Sequence, residues 1–175
     1  MTNLKDKRSN IEKNALRLRE DCVFTSKNNF LYGSKLNKWR YTLGLISTAA
    51  AGMIVLSVST QLEPSNLIVP ISSIVALLSS AAITTLNPGK NSETHQRIGN
   101  DYVALQKKVQ ILIDIDIPDE TLTDSDLREK LDKLNEEQQL LYRQYTNEVL
   151  PEWVHKKVKK KIASSESTYE VDNKI

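Results

Sequence analysis

The stretch YTLGLISTAAAGMIVLSVSTQL, residues 41–62, runs for twenty-two positions without a charge, and half of them are Gly, Ala, Ser or Thr. Just beyond Glu63 a second uncharged run begins, PSNLIVPISSIVALLSSAAITTLNPG, residues 64–89. Crossing a hydrocarbon core ~30 Å thick takes about 20 mostly apolar residues. As helices rising ~1.5 Å per residue, the runs reach about 33 Å and about 39 Å, and Pro70 to Pro88 alone covers about 28 Å. Pro70 is suited to a helix start, since a first turn tolerates proline. A soluble core helix keeps a polar face with charges on it. Here Glu63, in the expected turn, is the only charged residue between Tyr41 and Gly89. A membrane hairpin, with spans at about 41–62 and 67–88, is expected over a soluble bundle with an unusually apolar hairpin.

The chain averages to a negative hydropathy, but the average conceals the division. Apolar residues concentrate in 41–89, while both flanks are rich in Lys, Glu, Asp, Asn and Gln. Five Gly, five Pro and little β-branched alternation outside that block indicate an all-α chain. The lone Cys22 excludes an intramolecular disulfide and a thiol-rich metal site. Some forty polar residues precede the first run, so a cleaved secretory leader is not expected. Lys35, Lys38 and Arg40 precede the first span, Lys90 and Arg97 follow the second, and the turn has neither Lys nor Arg. The positive-inside rule then places both termini in the cytoplasm, with Trp39, Arg40 and Tyr41 as membrane-interface anchors.

Small and hydroxyl residues are unevenly distributed around both spans. At about 100° per residue, Ser72, Ser73, Ala76, Ser79, Ser80 and Thr84 share one side of the second helix. Gly44, Thr48, Ala51, Gly52 and Ser59 form a similar stripe on the first, and Gly44-xxx-Thr48-xxx-Gly52 permits close helix approach in lipid. Either the stripes pack against each other, or part of the hydroxyl stripe, Ser73, Ser80 and Thr84, faces water in a pore. Two helices cannot enclose a channel, so a pore requires several copies; Glu63 at its mouth would bias it weakly toward cations. In the packing alternative Glu63 is an ordinary solvated charge.

The sequence divides into an N-terminal amphipathic helix (1–34), the hairpin (35–89), a cytoplasmic helical region (90–161) and a disordered tail (162–175). Leu4, Ile11, Ala15, Leu18 and Cys22 form the apolar stripe of the first arm, and Asn28-Asn29 and Gly33-Ser34 suggest a break before the membrane. Asn87-Pro88-Gly89 ends the second span. Beyond it, Ile98, Tyr102, Leu105, Val109 and Leu112 give a heptad-like seam. IDIDIPDETLTDSD is an acidic connection in which Asp114, Asp116, Asp119 and Glu120 offer no fixed cation-binding loop. Thr123 to Asp126 reads as a helix start, followed by Leu127, Leu131, Leu134, Leu141 and Tyr145, with Gln138 in one apolar position and Pro151 interrupting the helix near its end. Three such helices can form a bundle or coiled coil within one chain or between copies. The final Trp153 and the lysines after it favour an anionic membrane surface over nucleic acid.

No phosphate-binding glycine loop, metal-ligand spacing or nucleophile elbow is present. His95, one to two turns beyond Pro88, is placed to report pH or guard a pore entrance, or is simply an interfacial polar residue. An enzyme is not expected, and no cofactor, metal or direct nucleic-acid partner is implied.

The order of a basic amphipathic helix, an entry at Trp39-Arg40-Tyr41, two short-linked spans and a long helix after Asn87-Pro88 resembles the SLATT family, two-transmembrane effector domains of bacterial conflict systems. His95, Gly99, Tyr102 and Leu105 in that long helix, and Leu150-Pro151-Glu152-Trp153, carry the local similarity, which covers roughly residues 5–160. The resemblance implies a bacterial inner-membrane effector that oligomerises and opens a pore, or disrupts the membrane, in antiviral abortive infection. Its trigger would be a separately encoded sensor: a nucleotide second-messenger synthase, a nucleotide-binding sensor or a reverse transcriptase. It assigns no catalytic residue and leaves His95 and Tyr102 as candidate gating or interface positions. The alternative is a non-conducting membrane scaffold whose hairpin anchors a helical assembly.

Overall fold

A computed structural model describes residues 2–59 and 68–164. It is all helical, with no strand among the described residues: α1 (Thr2–Ser59), α2 (Ile68–Leu86), α3 (Pro88–Ile111), a π turn (Leu112–Asp116), α4 (Asp124–Gln144) and α5 (Glu152–Ser164). Two compact units result. One takes α1 up to Tyr32 with the chain from His95 onward; the other is Gly33–Thr94.

In the first unit three apolar stripes close on one core. Ile11, Ala15, Leu18 and Cys22 of α1 meet Ile98, Tyr102, Leu105 and Val109 of α3, with Leu112 and Ile117 beyond and Leu127 and Leu131 of α4 alongside. Leu134, Leu141 and Tyr145 pack against it, partly buried. These are the seam positions expected from spacing; Leu4 lies among side chains outside the described set. Each fully buried Leu or Val removes enough apolar surface from water to contribute about 1.5–3 kcal/mol. The helices approach closely at Gly99, where an added Cβ would stand 2.6 Å from Phe30 Cε1.

The expected break at Asn28-Asn29 and Gly33-Ser34 is absent, and α1 runs through both. Asn29 does not compete for the backbone as a breaker would. Its Nδ2 donates to Thr25 O, one turn back, at 2.9 Å. At the end of α3 the helix widens: Ile117 N donates to Leu112 O at 2.9 Å, five residues apart. In an α-helix residues five apart diverge by about 140°; the wider π turn brings both Leu112 and Ile117 into the core. Pro118, with no N–H to donate, follows at once. Arg8 Nη2 secures the connection, donating to Asp119 O at 2.8 Å and Leu122 O at 3.1 Å.

Thr123 caps α4 as expected. Its hydroxyl accepts from Asp126 N while the Asp126 carboxylate accepts from Thr123 N, a reciprocal capping box. The reading of Pro151 requires correction. α4 ends at Gln144, six residues or so before the proline, and Pro151 opens a separate helix by accepting from Val154 N at 2.9 Å. That helix, α5, buries Val154 and Val158 and exposes lysines. It reaches Ser164, into the expected tail; residues 165–175 lie outside the described set.

In the second unit, α2 starts at Ile68 with Pro70 in its first turn. Asn87 alone joins it to α3. Asn87 has φ 39°, the left-handed conformation that ends helices. Its N–H still closes α2 on Ile83 O, and its side-chain oxygen accepts from Lys90 N at 3.4 Å. Pro88 then takes the first helical position, where a missing N–H leaves nothing unpaired.

Candidate functional site

Two places gather polar side chains without an obvious surface role, one in each unit.

In the hairpin, burial picks out the seam. On α1, Leu43, Ser47, Ala50, Ile54 and Ser57 form a buried or half-buried row, with Gly44 half-buried beside it; on α2 the row is Val69, Ser72, Ala76, Ser79 and Ile83, with Ala82 half-buried beside it. The spacings, 4-3-4-3 and 3-4-3-4, are complementary. Ala50, Ser72 and Ser79 are buried. Half of the expected hydroxyl stripe therefore does pack between the helices. The rest does not. Gly44, Thr48 and Ala51 sit one residue past the α1 seam, and Ser73, Ser80 and Thr84 one residue past the α2 seam. In an antiparallel pair these two flanks fall on the same side. Ser47 Oγ and Ser80 Oγ, 3.1 Å apart, bridge the helices there. The opposite side carries Ile46 and Met53 of α1 with Ile71, Val75 and Leu78 of α2, all exposed. The first side is mostly small and hydroxyl, interrupted by the exposed Val55 and Leu77 one residue past the seam, and the opposite side is richer in large apolar residues.

A Cβ added at Gly44 or Gly52 would meet nothing within 4 Å. The small-xxx-small pattern is not the contact between α1 and α2, contrary to the packing alternative for that stripe, and Gly52 points away from α2. Thr48, Ser73 and Thr84 donate to carbonyls one turn back, at 2.9, 2.8 and 2.9 Å. Trp39, Arg40 and Tyr41 are exposed. Glu63, the candidate pore mouth, lies outside the described residues.

In the other unit the core turns polar at one end. The α1 stripe continues past Cys22 to the buried Ser26 and Asn29, and the α3 stripe starts at the buried His95. His95 Nδ1 lies 2.9 Å from Asn29 Oδ1. Since Asn29 Nδ2 already donates to Thr25 O, Asn29 Oδ1 is the acceptor and Nδ1 carries the proton. Nε2 is then bare in the neutral ring, 3.9 Å from Glu148 Oε2. Tyr32 meets the ring edge-on at 4.8 Å and leans on Trp153 at 6.2 Å. Desolvation by burial holds the His95 pKa below its ordinary value, against the opposing pull of Glu148. Beside it Asn28 Nδ2 is 3.2 Å from His155 Nδ1, and Phe24 stacks on His155. Tyr102 is a core residue two turns further along α3, beyond Ile98, and Tyr145 OH donates to Asp101.

Sequence reasoning found His95 but missed Asn29, Tyr32 and Glu148. The signal was present for Asn29: extending the 11-15-18-22 spacing lands on 26 and 29. Nothing marked Glu148, which reaches His95 from the turn after α4.

Elsewhere among the described residues several acidic side chains have local partners. Gln110 donates to Asp114 at 2.7 Å, Lys130 pairs with Asp116 at 2.7 Å, and Thr121 donates to Asp119. No metal-ligand cluster occurs among the described residues. Burial pushes the Cys22 thiol up to about 12, with Asp21 and Glu137 adding to it, which makes it a poor nucleophile.

The model of the SMODS and SLOG-associating 2TM effector domain family 4 matches residues 13–148, from the amphipathic start of α1 through both spans to Glu148. The chain belongs to this SLATT family. Comparisons with curated proteins and with solved structures give no match. Membership makes the hairpin of this SLATT protein a two-transmembrane element and the chain a membrane effector. Within the matched range lie the hairpin face and the Asn29, Tyr32, His95 and Glu148 side chains of the bundle's polar end; Trp153 and His155, with the rest of α5 and Leu150-Pro151-Glu152, lie beyond it.

Proposed function

We propose that this SLATT protein is an oligomeric pore-forming effector of bacterial antiviral defence, in which several hairpins turn the Gly44, Thr48, Ser73, Ser80 and Thr84 face toward a shared conducting path. The observation supporting this reading is that the hairpin's own seam leaves that face uncovered while the opposite face offers large apolar side chains to lipid. A ring of hydroxyl faces makes a water-compatible wall. Both arms lie in the cytoplasm, following the basic flanks at Lys35, Lys38, Arg40, Lys90 and Arg97, with 1–34 and 90–161 on that side of the inner membrane. A separately encoded sensor of the kind the family name associates with it triggers opening. Such a sensor acts by binding the open arrangement of the cytoplasmic helices better than the closed one. The Asn29–His95 layer, with Tyr102 two turns beyond it along α3, is the part of the bundle whose rearrangement sacrifices least apolar burial, and so the place for gating.

A second reading is supported by the hydroxyls of Thr48, Ser73 and Thr84, which bond to their own helix and need no water. A lipid-facing anchor for a non-conducting scaffold tolerates such residues equally well. Single-channel recording from liposomes containing cross-linked oligomers separates the two. Discrete currents, abolished when Ser73, Ser80 and Thr84 are all replaced by Leu, are expected of the pore. Silence from inserted oligomers, or currents indifferent to the triple replacement, favours the scaffold or a different lumen.

A further inference from the structure

At the end of the hairpin where α1 enters it, Arg40, Tyr41, Gly44 and Leu45 of α1 and Ile83 of α2 line an open cleft of about 570 Å³. Arg40 is its only charged lining residue, and two glycines shape it. A Cβ on Gly89 would stand 3.2 Å from Arg40 Cδ and Nη1, closer than ordinary contact, so Gly89 makes room for the guanidinium group. Gly44 keeps the cleft open beside it, since a Cβ there meets nothing within 4 Å. Tyr41 and Leu45 present exposed apolar walls that a membrane protein covers with lipid or protein.

We propose that this cleft binds an anionic phospholipid, with the phosphate on the Arg40 guanidinium and one acyl chain running along Leu45 and Ile83. A guanidinium fork matches phosphate geometry, and it stands at the end of a membrane-spanning stretch, at the level of lipid headgroups. No carboxylate lines the cleft, so the ammonium group of a zwitterionic headgroup finds no partner there. Lys35, Lys38 and Lys90 add positive charge nearby in sequence, and residues 33–62 include no Asp or Glu. The proposal rests on the hairpin lying in a membrane and is independent of whether it conducts.

The test exposes the full chain, purified in mild detergent, to equal parts of phosphatidylglycerol, phosphatidylethanolamine and phosphatidylcholine, and quantifies bound lipid by native mass spectrometry. Phosphatidylglycerol is expected to be retained over the other two. Arg40→Gln should lower that retention about fivefold, the factor one cationic side chain contributes at an anionic surface. Gly44→Leu, which puts a side chain into the cleft at a position where an added Cβ meets nothing within 4 Å, should lower retention of all three lipids and serves if Arg40→Gln misfolds by circular dichroism. Lys90→Gln should retain phosphatidylglycerol. Equal retention of the three lipids by the unmodified chain, or unchanged retention by both cleft variants, overturns the proposal. So does an equal loss in Lys90→Gln, which assigns the preference to diffuse surface charge.

Discussion

The bundle and the hairpin use the same 3-4 spacing with different mixtures of residues, the hairpin seam admitting far more small ones. Between α1 and α3 the seam is mostly Ile, Leu, Tyr and Val, with the small Ala15 and Cys22 as exceptions. Between α1 and α2 the small Ser47, Ala50, Ser72, Ala76 and Ser79 share the seam with Leu43, Ile54, Val69 and Ile83, and the large side chains Leu45, Leu56, Leu77 and Leu78 point outward. In water, burying large apolar surface drives the helices together. In lipid that drive vanishes, because a hydrocarbon tail is as apolar as leucine, and close backbone approach with interhelical hydrogen bonds replaces it. One helix, α1, obeys both rules in succession along its length.

The contrast is sharpest at single leucines. Leu105, fully buried at the centre of the bundle, should lose about 2–5 kcal/mol of stability as Leu105→Ala, through lost transfer energy and the cavity left behind. Leu78 is 63% exposed on the hairpin, and Leu78→Ala exchanges a lipid contact for a lipid contact. Chemical unfolding of the detergent-solubilised chain should register the first as a large shift in midpoint and the second as almost none. Equal losses would mean that the outward face of α2 is covered by protein.

This division explains how much was legible beforehand. The bundle seam was readable because apolar residues recur against a polar background, so Ile98 through Leu112 and Leu127 through Tyr145 stood out by spacing alone. The hairpin was readable as a hairpin, but not its inner face: without charges, small residues occur on the seam and beside it alike. Ser72 and Ser79 pack inside, Ser73 and Thr84 do not, and a one-residue offset separates them. The Asn29–His95 layer was hidden for another reason. Asn28-Asn29 looks like a helix breaker locally, and that local signal outweighs the stripe spacing that carries on to Asn29 until its partner across the bundle is seen. Likewise Pro151 marks an interruption without saying on which side the helix continues.

The polar end of the bundle sets a pH dependence that the apolar end lacks. His95 has a folded pKa below its ordinary value, so around and below pH ~6.5 the unfolded chain binds more protons than the folded one. Its contribution is full above the unfolded value and is lost as pH falls through the folded one. Melting temperature should therefore drop on acidification from neutral pH, and His95→Gln, which keeps a donor for Asn29, should flatten that part of the profile. Protonation would place a second N–H at Nε2, facing Glu148. Glu148→Gln removes the carboxylate that opposes desolvation, so it should lower the His95 pKa further, leaving the onset of the drop in place but deepening it and extending it to more acid pH. An unmoved profile in both variants would assign the dependence to carboxylates such as Asp126, whose pKa is lowered by its bonds to Thr123.

The smallest effect is expected where the hairpin's hydrogen bonding is most visible. Ser47 and Ser80 bridge α1 and α2 at 3.1 Å, yet interhelical hydrogen bonds in membranes average only about 0.6 kcal/mol, because the separated helices find other partners. Serine has a ready one, the carbonyl a turn back, as Ser73 and Thr84 use here. Ser47→Ala should therefore cost about 0.5 kcal/mol or less in reversible unfolding from bicelles, and the double replacement with Ser80→Ala little more. A coupling energy near the top of the known range, about 1.7 kcal/mol, would mean that the hydroxyl face specifies the pairing as well as permitting it. In that case the same hydroxyls could not turn freely toward a lumen, and the pore reading would have to rest on Ser73 and Thr84 alone.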